Sequence, residues 1–245
     1  LFERSRHRII LTEDGMLLKR RAQEIVSLAE KTEREFVRRE GELMGEISIG
    51  SGELKSSRFL SQVVAAFHEK HPLVQFEIFS GDSDNIKERM ERGLLDLGIL
   101  LEPVDISKYE FIQIPVKEEW GVLVPDDSPL AGKESVRPED LVSYPLLFGQ
   151  REMVHQRIRN WFGSCSDKMK LVASGNLQYN MAAMVSGKVG VAVTIRLDCR
   201  YDGISFVPLA PRLESRTVLV WKKVQPFSPA ATAFIDFFRD YVEKE

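Results

Sequence analysis

The chain has 245 residues, 43% hydrophobic and 29% charged, which is the composition of a globular protein able to bury one large core or two smaller ones. No apolar run approaches the roughly 18 residues needed to cross a bilayer, and no signal-peptide pattern opens the chain. A net charge of −3 argues against generic nucleic-acid affinity for the chain as a whole.

The charge is uneven. Residues 1–21 hold six Lys/Arg against three acids, a local +3, so the rest of the chain carries −6. Arg4, Arg6, His7 and Arg8 lead a β-prone ribbon into Ile9, Ile10 and Leu11. Such an arm suits phosphate contact, because backbone affinity grows with the number of phosphates neutralised; a solvated charged turn is the plainer reading. Thr12 is a good N-cap, and Glu13 and Asp14 put negative charge on the first helical turn. Apolar or small residues follow at Leu11, Gly15, Leu18, Ala22, Ile25, Ala29, Thr32 and Phe36, in the steps of four and three that make a heptad seam. The other faces are charged, so this narrow seam calls for a partner helix, from a second copy in preference to its own domain. Gly41 and Gly45 end the helix and supply a hinge.

From Glu46 the pattern is α/β. Ile47 and Ile49 alternate with polar residues in a strand, and Ser56 or Ser57 caps a helix whose apolar face is Phe59, Leu60, Val63, Val64 and Phe67. His71-Pro72 stops that helix. Val74, Phe76 and Ile78 form a second strand, Asp84 or Asn85 caps a short helix, and Asp96–Leu100 is a buried third strand. This alternation with short turns predicts a parallel sheet with right-handed crossovers. A second unit follows, with separate strands at Phe111–Ile114 and Trp120–Val124, a helix at Pro138–Val142 and a strand at Leu146–Phe148. Val154, Ile158, Trp161 and Phe162 make a helix face, Lys170–Ala173 a strand, and Asn176 caps a helix running through Val185. Strands at Val189–Ile195, Ile204–Leu209 and Thr217–Trp221 precede a closing helix capped by Ser228.

Several short motifs occur in a fixed order: Leu11-Thr12-Glu13-x-Gly15, Gly45-x-Ile47-x-Ile49-Gly50, His71-Pro72, Gly93-x-x-Asp96-Leu97-Gly98-Ile99, Ser128-Pro129-Leu130-Ala131 and Gly187-x-x-Gly190-Val191-Ala192. In that combination the chain resembles, end to end, the bacterial LysR-type transcriptional regulators. It departs from them at Asp14, at Glu53 and in the loop Thr194-Ile195-Arg196. The resemblance implies an α/β fold, a two-lobed, type 2 periplasmic-binding-protein-like domain preceded by a long linker helix and a remnant of a winged helix-turn-helix wing. Residues 1–11 would end the DNA-binding wing, 12–44 would form the dimerising linker, and 45–245 the effector-binding domain. Lobe one is expected at about 45–101 and in part of 205–245, and lobe two at about 104–203. The connecting segments are expected near Leu101–Pro103 and Arg200–Ile204.

By the same resemblance, a small-molecule effector lies between the lobes at the carboxyl ends of the strands. Ser51, Gly52, Glu53, Leu54, Ser56, Leu101, Gln150, Asn176, Leu177 and Thr194 are its expected lining. Helix starts near Ser56 and Asn176 carry partial positive charge and favour an anionic or carbonyl-bearing molecule. Glu53 pointing inward would oppose a carboxylate and favour a cation or hydrogen-bond donor; pointing outward, it is a solvated acid, the commoner state of Glu. Arg4, Arg6 and Arg8 are the candidate DNA-backbone contacts, with the family's recognition helix upstream of them. Leu18, Ala22, Ile25, Ala29 and Phe36 on the linker, with Val63, Phe67 and Phe76 on lobe one, are the candidate dimer contacts. Two such contacts allow a homodimer or a homotetramer, whose geometry on DNA the effector would alter.

Other functions fit less well. His7, His68, His71 and His155 show no metal spacing, and no Ser/His/Asp motif or phosphate loop occurs, so no enzyme, metal or cofactor is expected. A solute-binding protein of the same fold would have no use for residues 1–40. A cysteine-based redox sensor is the third reading, with Arg196 and Arg200 close enough to favour a Cys199 thiolate. The two cysteines, Cys165 and Cys199, lie in no CxxC spacing and imply no disulfide framework, which makes the cytoplasm the expected compartment.

Overall fold

The computed structural model describes residues 1–5, 8–36 and 42–244. β1 (Phe2–Ser5) and β2 (Arg8–Leu11) form an antiparallel ribbon in which Phe2 faces Leu11. The helix α1 (Glu13–Phe36) starts directly after it, with Thr12 Oγ1 accepting from Gly15 N at 3.1 Å. A Cβ at position 15 would run into the carbonyl oxygen of Leu1, so the ribbon can close on the helix only over a glycine. Arg4 and Arg8 sit in the two strands, while Arg6, Gly41 and the side chains of Arg4, Arg8 and Phe36 lie outside the described residues.

The heptad seam is not folded into the chain's own core. Leu18 and Ile25 are 52% and 68% exposed, and Ala22 and Ala29 are exposed beside them. The helix touches the rest of the chain along a flank, where the Glu24 carboxylate pairs with Arg92 at 2.9 Å. At about 100° per residue, Glu24 lies roughly a third of a turn from the Leu18–Ile25 line, which leaves the seam open.

Lobe one begins with β3 (Gly45–Ser51), which pairs in parallel with β4 (Val74–Ser80) and β5 (Leu97–Leu101). Asp96 ties the sheet at its entry: its Oδ2 accepts from Ser48 N and Ser48 Oγ, both at 2.8 Å and buried. The helices α2 (Ser56–Lys70) and α3 (Ser83–Glu91) are the crossovers.

β6 is one strand of 17 residues, Tyr109–Pro125, shared by both lobes. Beyond it come α4 (Pro138–Leu141), β7 (Pro145–Gly149), α5 (Glu152–Phe162), β8 (Lys170–Gly175), α6 (Gln178–Ser186) and β9 (Val191–Ile195). β7 is parallel to β8 and β9, while the second half of β6 pairs antiparallel with β9 and with β10 (Ile204–Pro208). β11 (Glu214–Lys222) returns to lobe one, antiparallel to β5 and to the first half of β6, and α7 (Pro229–Val242) closes the chain behind the Ser228 cap.

This topology moves the lobe boundary. The chain passes between lobes within β6, near Glu118–Trp120, and again in the segment joining β10 to β11, not near Leu101–Pro103 or Arg200–Ile204. The two strands expected at 111–114 and 120–124 are one because a register shift opposite Pro115 absorbs the residue that has no N–H to give. Lobe one therefore keeps Tyr109–Glu118, and lobe two keeps β10.

The dimer assignment also changes. α2 turns its apolar stripe onto α7, where Phe59 meets Phe238 at 5.8 Å and Phe67 meets Phe234 at 5.2 Å, both edge to face. Val63 and Phe67 are thus sealed in the core and cannot present a surface to another copy, and Phe76 is half-buried against the same rings.

Candidate functional site

β3, β4 and β5 of lobe one and β7, β8 and β9 of lobe two all end on one crevice, because parallel strands release their loops at the same edge. The crevice holds about 760 Å³ of free space, its open mouth included. Lobe one lines it with Gly52–Leu54, Gly81–Ser83, Ile99 and Leu101, and lobe two with Gly149–Arg151, Val154, Gly175–Gln178, Met181 and Val193–Ile195. Trp120, from the shared strand, also lines it, held by its Nε1 donating to Ser215 Oγ at 2.9 Å.

Three helices begin at or beside this crevice with a carboxylate of the chain already on their N–H groups. Asp82 Oδ1 accepts from Asp84 N at 3.0 Å and Asn85 N at 2.9 Å, and so caps α3. Glu118 accepts from Lys55 N and Ser56 N, each at 2.9 Å, and so fills the start of α2. Glu53 reaches across from lobe one and accepts from Gln178 N, at the start of α6 in lobe two. Each acid satisfies backbone donors left over by helix geometry and meets the positive end of the helix dipole. Glu118 is wholly buried, and burial pushes its carboxyl above the usual value although the N–H groups of Ser56 and Lys55 pull the other way.

Arg151 makes the opposite crossing. From the start of α5 its Nη1 donates to Leu101 O at 3.0 Å and its Nη2 to Pro103 O at 2.7 Å, both in lobe one. Its Nε lies 3.6 Å from Asp84 Oδ2, and the side chain is 6% exposed. The start of α5 carries no side-chain cap. The lobes are thus clasped by a carboxylate passing one way and a guanidinium passing the other, with Arg58 and Asp198 adding an exposed pair at 3.7 Å.

The sequence pattern described as the LysR substrate binding domain matches residues 40–243. The chain belongs to the LysR family. It is 27% identical over 142 residues to the uncharacterized HTH-type transcriptional regulator YvbU of Bacillus subtilis strain 168, an alignment covering 58% of this chain and 48% of that protein. The chain thus spans about half the length of that relative. In fold it is similar to the effector binding domain of QuiR in complex with shikimate, with a TM-score of 0.73 and 22% identity over 83% of this chain and 99% of that one. Full-length CbnR complexed with its target DNA gives a TM-score of 0.74 with 17% identity, over 96% of this chain and 83% of that one. The relatives are named as transcriptional regulators, not as enzymes.

Within this LysR fold, Gly52, Glu53, Leu54, Leu101, Gln150, Asn176, Leu177 and Thr194 all come to the crevice. Ser51 and Ser56 do not. Ser51 is buried with its Oγ donating to Gly52 O at 3.1 Å, and Ser56 is wholly enclosed. None of the expected helix caps at this site is the residue that caps. Lys55, Asp82 and Leu177 occupy the N-cap positions where Ser56 or Ser57, Asp84 or Asn85, and Asn176 were expected. Glu118 and Glu53 supply the acceptors from 62 and 125 residues away, so no local pattern reveals them. Arg151 was also missed. Its one signal is position, a charged residue two places after the end of β7, on the edge where a crevice is expected.

The helix starts near Ser56 and Asn176 thus each already hold an acid of the chain, Glu118 on two N–H groups and Glu53 on one. Cys165 and Cys199 are free thiols; Cys165 sits 4.0 Å from Glu139, and Cys199 lies against Tyr201, whose phenol is pushed up by burial, by Cys199 and by the charge of Glu53. Among the described residues no group of His, Cys, Asp or Glu could hold a metal, and no helix is long and apolar enough to cross a membrane.

Proposed function

We propose that this chain is the sensing part of a cytoplasmic, DNA-binding LysR-type regulator and that a small molecule, with no other cofactor, binds between its lobes. The observation that carries this is the crevice itself: an open-mouthed space at the strand ends whose two walls are held together by a few side chains, chiefly Glu53 and Arg151. A ligand touching both walls stabilises one interlobe angle over others by its differential affinity. The exposed seam of α1 gives that change an outlet, since two such helices paired through Leu18, Ala22, Ile25 and Ala29 would couple the lobes of one copy to those of another. The basic residues near the start of the sequence, Arg4, Arg6 and Arg8, would then meet DNA phosphates while bases are read elsewhere. QuiR, of similar fold, is named with shikimate bound, and CbnR with its target DNA, which supports both halves of the reading.

A thermal-shift panel of small carboxylates, amino acids, amines and polyols tests it, run in parallel on a Thr194→Trp variant whose crevice is filled. Stabilisation of the wild type by a compound that leaves the variant unmoved is expected. Equal response of both proteins to every stabilising compound would sink the crevice as the binding site.

A further inference from the structure

Glu53 stands where a ligand's anion would stand. Its carboxylate, carried on the loop after β3, occupies the N–H of Gln178 at the first turn of α6, a helix of nine residues belonging to the other lobe. Gln178 is itself fixed, its Oε1 accepting from Thr194 Oγ1 at 3.0 Å, so the receiving end is held in place from behind. Asp82 and Glu118, also near the crevice, are each committed to a helix start, and Asp84 is paired with Arg151. Glu53 differs from Asp82 and Glu118 in reach: it is half-exposed at the crevice wall and bridges the two lobes. On the lobe-two rim the guanidinium of Arg151 is already committed, to Leu101 O, to Pro103 O and to the Asp84 carboxylate.

We propose that Glu53 determines the chemical class of effector this crevice accepts. It holds the N–H at the first turn of α6, so an effector presents hydroxyl, amide or ammonium donors to that wall. A second carboxylate at α6 would sit beside the first, and like charges at that separation repel. The inference rests on the crevice being the effector site, but its test does not need the effector.

The experiment is rescue by a small anion. The 245-residue chain, as wild type, Glu53→Ala and Glu53→Gln, is melted at pH 7 in sodium acetate and in sodium chloride of equal ionic strength. Removing the side chain leaves a carboxylate-sized gap at the start of α6, so Glu53→Ala is expected to melt about 2 °C higher in 0.2 M acetate than in chloride. Wild type and Glu53→Gln, with the gap filled, are expected to show no difference between the salts. Equal acetate shifts in all three proteins would overturn the proposal, as would no shift in any of them. So would a crystal of the wild type soaked in acetate with acetate on Gln178 N and Glu53 turned away. Because acetate reports on this one position, the proposal can fail while the crevice remains the ligand site. The Thr194→Trp panel can fail while Glu53 keeps its hold on α6.

Discussion

The starts of α2 and α6 are built alike and serve differently. Each receives a glutamate from far along the chain, Glu118 in one case and Glu53 in the other. Glu118 is wholly buried and accepts two N–H groups of α2 from the part of β6 that belongs to the same lobe, so that bond does not span the crevice. Glu53 is half-exposed, takes one N–H, and spans the gap, so opening the crevice breaks it. The same interaction is structural where water is excluded and both partners belong to one body. It becomes conformational where the partners belong to two.

Removing the buried cap should have the largest effect. Glu118→Ala leaves the N–H groups of Lys55 and Ser56 without their acceptor, and a loss of about 2–3 kcal/mol in urea unfolding is expected. A loss below about 0.5 kcal/mol would show that the α2 start is satisfied by water. Arg151→Ala comes next, at about 1–3 kcal/mol, because it strips donors from Leu101 O and Pro103 O. It should also widen the molecule, measurable as a larger radius of gyration by small-angle scattering. Glu53→Ala should lose about 1 kcal/mol or less, since the freed end of α6 can be hydrated. If Glu53→Ala proved as damaging as Glu118→Ala, the contrast between the two caps would collapse.

The buried member of the pair also carries a pH signature. Burial raises the Glu118 carboxyl above 4.5, so the folded chain binds this proton more tightly than the unfolded chain does. Its contribution to stability is therefore complete below about pH 4.5 and is lost as pH rises through the raised folded value. The stability of wild type relative to Glu118→Gln should accordingly fall over that rise. A difference that stays flat, or grows, would contradict the assigned cause.

How much of this could be read from the residues depends on the range of each interaction. The seam of α1, the apolar stripes of α2 and α7, and the caps Thr12 and Ser228 follow from neighbours within one or two turns, and all were legible. The loops at Gly52–Leu54, Gln150, Asn176 and Thr194 lie on the crevice because strand order sets which loops meet. The caps Glu118 and Glu53 were not legible, since their partners are distant in sequence and exist only once the lobes are assembled. The continuity of β6 was hidden by Pro115, which reads as a break until the partner strand shows a shifted register around it. Val63 and Phe67 fit a helix stripe equally well facing α7 or facing a second copy, and periodicity alone does not distinguish the two.

Hydrogen–deuterium exchange on wild type, Glu53→Ala and Glu118→Ala compares the two caps most directly. Glu53→Ala should speed exchange in the first turn of α6 and at the crevice rims while leaving α2 as protected as in the wild type. Glu118→Ala should speed exchange in the first turn of α2. Loss of protection in α2 on removing Glu53, or no change in α6, would contradict the account of one fixed cap and one that opens with the lobes.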